Sequence, residues 1–217
     1  MCNDDVVPSR PPGPGSTATE QRIIDIAVEV LGARPDAGMA DVAAAAGVVR
    51  RTVYGYFPTR ADLVAALARR AVDEIGAVLT TATSDATAPA DTAATGDAVP
   101  ADAAWAQFVT ELWPVAHRYR VLLVLRRGEY GADIHALLRP VEDRLGELVR
   151  RGQQTGTFGD HLPADVLAQL AWSAVFTIAD GDRADRPVEV AAAVRSTLLV
   201  LGVAPDRARA LAEVDEH

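Results

Sequence analysis

MADVAAAAGVVRRTVYGYFPTR, residues 39–60, is the stretch whose reading decides the fold. Two short helical segments, about 39–46 and 49–57, flank Gly47-Val48, and Pro58 ends the second. With Met39 as position one, Ala43 falls at five, Gly47 at nine and Val53 at fifteen. Two helices that cross at close range need a small residue at the crossing. The turn between them needs a residue that accepts positive φ. A β-branched side chain on the second helix then fills the gap. Ala43, Gly47 and Val53 meet these three requirements, and Val42, Ala46, Val48 and Tyr56 fall at the other inward places. The pattern is that of a helix-turn-helix.

Its outward positions are Val49, Arg50, Arg51, Tyr54 and Gly55. An arginine guanidinium forks onto guanine O6 and N7 in a major groove, or onto phosphate. Thr52, Tyr54 and Tyr56 offer hydroxyls to phosphate oxygens, which sets register without reading bases. Arg60 opens the next helix and is expected against the flanking backbone. Double-stranded DNA is the implied partner.

On the N-terminal side, Ser16, Thr17 and Thr19 offer N-caps, with Glu20 completing a box on Thr17. Ile23, Ile26, Ala27, Val30 and Leu31 then recur at three- and four-residue steps, an amphipathic helix. On the C-terminal side, Thr59 caps a fourth helix carrying Leu63, Ala66, Leu67, Ala71, Ile75 and Leu79. Residues 1–15, rich in Pro and Gly, read as a disordered arm, and 84–100 as a mobile low-complexity loop. Helical patterns fill the rest. Pro140 sits inside one of them and is expected to kink it. No alternating strand pattern competes. The fold class is all-α: a helix-turn-helix domain over 16–62 and a larger helical domain over 63–217.

The chain has 217 residues and a formal net charge of −9. Residues 16–70 hold seven arginines and six acids; residues 71–217 hold thirteen and twenty-two. An acidic bulk repels a polyanion, so DNA binding has to come from a locally presented basic face. The one cysteine, Cys2, permits neither an internal disulfide nor a cysteine metal site. His117 and His135 lack ligand-like spacing, so neither metal nor cofactor is expected. No apolar run approaches the ~18 residues of a membrane span, and the start lacks the pattern of a signal peptide. A cytoplasmic protein is expected.

RIIDIAVEVLGARPDAGMADVAAAAGVVRRTVYGYFPTRADLVAAL resembles the N-terminal domain of tetracycline-repressor (TetR) family regulators, chiefly through its Ala-x-x-x-Gly-Val turn and Thr-Val-Tyr-x-Tyr-Phe-Pro segment. VRRGQQTGTF, 149–158, is similar to a weaker segment of that family's ligand-binding domains. The resemblance implies a homodimer, a palindromic operator and repression relieved by a small molecule. It also implies base and groove contacts for Arg50, Arg51 and Tyr54, and phosphate contacts for Thr52, Tyr56 and Arg60. Four positions depart from the family pattern: Val49 for a capping serine, Gly38-Met39 for a threonine-serine start, Gly55 without a side chain, and Arg60 for lysine.

For an apolar or aromatic effector, the large or titratable groups of 101–180 are Trp105, Phe108, Trp113, His117, Tyr130 and His135, with Trp113 and His117 sharing one helix face. For the dimer, the helix over 163–180 is apolar on two faces. Val166, Leu170, Ala174 and Ile178 form one face; Leu167, Ala171, Val175 and Ala179 form the other. With Val194 and Leu198 of the following helix it resembles the family's four-helix interface. ADGDRADR, 179–186, reads as a solvated loop rather than a calcium site. No catalytic motif was found, which disfavours an α-helical enzyme. A small-molecule-binding protein with weak or lost DNA binding is the alternative.

Overall fold

The structure is a computed structural model that describes residues 14–83, 99–182 and 187–213. Ten α-helices make up the described chain: α1 (Pro14–Ala33), α2 (Met39–Ala45), α3 (Arg50–Tyr56), α4 (Arg60–Thr83), α5 (Ala101–Arg118), α6 (Val121–Leu125), α7 (Gly131–Gln154), α8 (Ala164–Gly181), α9 (Val190–Val200) and α10 (Pro205–Ala212). They fall into two compact units, divided between Leu63 and Val64. Most of the expected arm (1–13 of 1–15), most of the low-complexity loop (84–98) and part of the acidic loop (183–186) lie outside the described residues, while Pro14 and Gly15 open α1.

In the first unit α1 begins at Pro14, ahead of the start expected at Thr17. Proline suits the first helical turn, where its missing N–H would have no partner. The buried stripe of α1 is Ile23, Ile24, Ala27, Val28 and Leu31. Arg60 extends back from the start of α4 and donates from Nη2 to the Pro35 carbonyl at 2.5 Å and from Nε to the Ala37 carbonyl at 3.3 Å. It thereby ties down the connection between α1 and α2.

In the second unit α8 packs against α7, α5 and α9, and α9 also meets α5 and α10. Trp105, Phe108 and Trp172 form the centre. Trp105 meets Phe108 edge-on at 6.0 Å, and Phe108 stacks on Trp172 at 6.1 Å. The indole Nε1 of Trp105 donates to Thr197 Oγ1 at 3.1 Å, which satisfies a buried polar atom. Buried Asp102 accepts from Arg207 Nε at 2.8 Å and from the Ala103 N–H at 2.8 Å, joining α5 to α10. α7 runs unbroken through Pro140.

VRRGQQTGTF is the end of α7 and the turn that follows. A Cβ on Gly152 would stand 2.1 Å from the Phe158 ring, so only glycine leaves room for that ring. The Gln153 side-chain amide donates to the carbonyls of Gly159 and Leu162, both at 2.9 Å. The segment thus locks the helix end to the returning chain.

Candidate nucleic-acid interface and interior cavity

α2 and α3 meet through a turn in which Gly47 takes φ +66°, the left-handed conformation expected there. Val42, Ala43, Ala46, Val53 and Phe57 are buried between and beneath the helices. At the start of α2 the Gly38 N–H donates to Asp41 Oδ2 at 2.8 Å, with Arg34 3.6 Å from the other carboxylate oxygen. That backbone bond, with Arg34 adding to it, holds the Asp41 carboxyl below its ordinary range.

Burial of Val53 and Phe57 turns the opposite side of α3 outward. Arg50, Arg51 and Tyr54 are exposed, Tyr54 at 49%, while Thr52 and Tyr56 are half-buried at the flanks. The two guanidiniums and the phenol therefore share the exposed side of one short helix. Arg60 differs from the other candidates, because its guanidinium already serves two carbonyls of its own unit.

The N-cap of α3, Val49, has the extended backbone of a cap (φ −73°, ψ 148°) but makes no side-chain cap bond. It is 71% exposed. Serine at this position accepts from an early helical N–H, and little apolar burial is lost. We expect Val49→Ser to raise stability by about 1 kcal/mol, read from urea denaturation. An unchanged or lower midpoint would count against an uncapped terminus.

The second unit contains a cavity bounded by α4, α5, α6, α7 and α8. Its volume is only ≈ 30 Å³. Val72, Val115, Leu122, Ile134, Trp172 and Phe176 supply much of the wall. Tyr119, Arg126 and Trp172 are the lining side chains with polar atoms. The Tyr119 hydroxyl donates to Glu74 Oε1 at 2.6 Å, and Arg118 holds Glu74 Oε2 at 2.8 Å. Burial, and then the bond to Glu74, push the Tyr119 phenol up to about 12.

The sign of that shift fixes a pH dependence. The neutral phenol is favoured in the folded state, so its stabilisation is whole below pH 10 and disappears as pH rises through about 12. Tyr119→Phe is expected to cost about 1.5–3 kcal/mol at neutral pH. It should also flatten the loss of stability between pH 10 and 12. Thermal melts over pH 7–12 test this, and parallel curves for the two proteins would sink the assignment.

None of the six residues expected to hold an effector lines this cavity. Trp105 and Phe108 are fully buried and occupied with each other, Thr197 and Trp172. Trp113 and His117 do meet, with rings 4.5 Å apart, but at a half-buried surface. There His117 Nε2 bonds Asp182 Oδ2 at 2.8 Å, and Asp182 Oδ1 accepts from the Val188 N–H. That pair joins the end of α5 to the segment between α8 and α9. Tyr130 caps α7, and His135 is exposed. Tyr119 and Arg126 do line the cavity and were not among those expected residues. The available signal was the arginine that closes the apolar run VLLVLR, 121–126.

The two apolar faces of α8 separate cleanly. Leu167, Ala171, Val175 and Ala179 are buried within the unit. Val166 and Leu170 are 42% and 49% exposed, with Ala174 and Ile178 half-buried on the same side. On α9 the expectation needs correcting. Val194 and Leu198 face inward and are fully covered by the unit's own helices, so they have no surface to offer a partner. The outward apolar residue of α9 is Leu199, 44% exposed.

Among the described residues no cluster of His, Cys, Asp and Glu is suited to a metal. No described helix is long and apolar enough to cross a membrane.

Comparison with known proteins agrees with this geometry. Residues 23–67 match the family described as bacterial regulatory proteins, tetR family. Over 55 residues the chain is 51% identical to the HTH-type transcriptional repressor LfrR of Mycolicibacterium smegmatis, a match spanning 25% of this chain and only 29% of that relative. At the level of structure, the TetR-like regulator LfrR from Mycobacterium smegmatis in complex with proflavine superposes with a TM-score of 0.66 and 26% identity. That superposition covers 87% of this chain and 96% of that one. The fatty acid degradation regulator FadR from Bacillus halodurans shares the fold at TM-score 0.67 and 21% identity, covering 88% of this chain and 97% of that one. Residues 23–67, a helix-turn-helix with Gly47 at its turn, thus match the N-terminal domain of the tetR family of bacterial regulatory proteins, and the larger helical unit that follows shares the fold of these regulators.

Proposed function

We propose that the protein is a homodimeric transcriptional repressor that binds a palindromic operator through α3 and is released by a small apolar or aromatic effector. The observation that carries the reading is the outward set Arg50, Arg51 and Tyr54 above buried Val53 and Phe57. This arrangement gives an acidic chain one local face fit for a major groove. The cavity in the second unit is the effector site. Its support is an interior space with aromatic and aliphatic walls, together with full-length likeness to a regulator whose structure holds proflavine. The exposed stripe on α8 joined by Leu199 is the dimer face. The protein works in the cytoplasm and is not an enzyme.

Selection from a random DNA library with the purified chain tests this reading. The expected product is an inverted repeat whose half-sites lie about one helical turn or more apart. Loss of enrichment even at low salt would overturn DNA recognition and leave a small-molecule-binding protein.

A further inference from the structure

We propose that the effector cavity selects an anionic aromatic molecule, a small aromatic carboxylate, with Arg126 as its counter-charge and the Trp172 indole as a further donor. The inference rests on the reading of this cavity as the effector site. Two observations carry it. First, Arg126 is half-buried at a wall that is otherwise almost all carbon, and among the described residues it makes no ion pair. A guanidinium at the edge of apolar surroundings favours an anion there, because attraction strengthens as water is excluded. Second, Trp172 lines the same cavity and is buried, yet its Nε1–H has no acceptor among the described residues. Buried donors of this kind are normally paired, and an unmet one is a place for a ligand oxygen.

The walls set the rest of the ligand. Trp172 and Phe176 meet edge-on at 4.6 Å, and Tyr119 adds a third ring. Aromatic rings pack well in such surroundings. No carboxylate side chain lines the cavity, and the nearby Glu74 is held by Tyr119 and Arg118. A cationic ring would therefore meet Arg126 without a compensating acid. With a cavity of only ≈ 30 Å³, the walls must part to admit a ring. Selectivity follows from charge more than from a preformed outline.

The test uses the full chain and three matched probes: benzoate, benzamide and benzylammonium. Each is titrated while the indole N–H signals of the three tryptophans are followed by NMR. The expected result is that benzoate binds at least tenfold more tightly than benzamide and shifts the Trp172 signal. Benzylammonium should bind most weakly. Arg126→Gln should reduce benzoate to the level of benzamide and leave the melting temperature unchanged, and Arg126→Lys should restore part of the preference. Tighter binding of benzylammonium, an unchanged ratio in Arg126→Gln, or no binding of any probe would overturn the proposal. Release of operator DNA is measured separately. Arg126-dependent benzoate binding without DNA release would uphold the ligand class and overturn the effector reading.

Discussion

Leu170→Glu is expected to convert the protein to monomers at micromolar concentration and to weaken operator binding by two orders of magnitude or more. Val166, Leu170, Ala174 and Ile178 recur every four residues along α8, an outward stripe roughly 18 Å long. Removing apolar area from water contributes roughly 25 cal/mol per Å², so two copies of this stripe gain by meeting. Glutamate near its middle places one carboxylate from each copy in the same dry contact, two like charges without a partner. A monomer holds one half-site where a dimer holds two, and losing the second, effectively intramolecular contact accounts for the fall. The fold of the single chain should survive, since Leu170 is half exposed there. Light scattering reads the mass, and a mobility-shift titration reads the affinity. A persistent dimer would refute this face. A monomer with undiminished affinity would refute the need for two copies on DNA.

The α2–α3 turn was legible because its requirements are local. A glycine at φ > 0, a small crossing residue and a β-branched plug all fall within twenty residues, and each is a constraint on one residue type. The stripe of α4 was legible for a related reason: every expected position, Leu63 to Leu79, is buried. In α1 the apolar positions were too many for one stripe. Ile23, Ala27 and Leu31 are common to both readings, but Ile24 and Val28 are buried where Ile26 and Val30 were expected.

The second unit marks the boundary of such reading. Its cavity takes a few side chains from each of five helices, so no single stretch carries its pattern. Periodicity puts Phe108 and Phe176 equally on an inward face; only the arrangement of α5 and α8 makes one a core residue and the other a wall. The same holds for α9, which is apolar on more than one side. Val194 and Leu198 proved interior because α5, α8 and α10 all pack on α9, and that is a fact of topology. Arg60 was placed on the right helix, but nothing in its neighbours shows that the carbonyls of Pro35 and Ala37 come within its reach.

The double change Arg50→Ala, Arg51→Ala should lower affinity for the selected operator by roughly 2–6 kcal/mol, each base-reading arginine contributing about 1–3. Both side chains are exposed on α3. Neither is needed to hold the helix, whose inward anchors are Val53 and Phe57, so the variant should melt with the parent. The acidic bulk makes the effect larger than at a basic protein. With a formal net charge of −9, removing two cations from the local positive face leaves long-range repulsion unopposed. The slope of log affinity against log salt separates the two roles these residues can play. A residue that only neutralises phosphate weakens all sequences alike and lowers the slope by about one each. A residue that forks onto guanine costs operator affinity far more than affinity for unrelated DNA. Single variants assign the roles: the arginine whose loss narrows the gap between operator and unrelated DNA reads a base. Equal losses on both DNAs for both arginines would leave Tyr54, the remaining large outward side chain of α3, as the candidate for sequence readout.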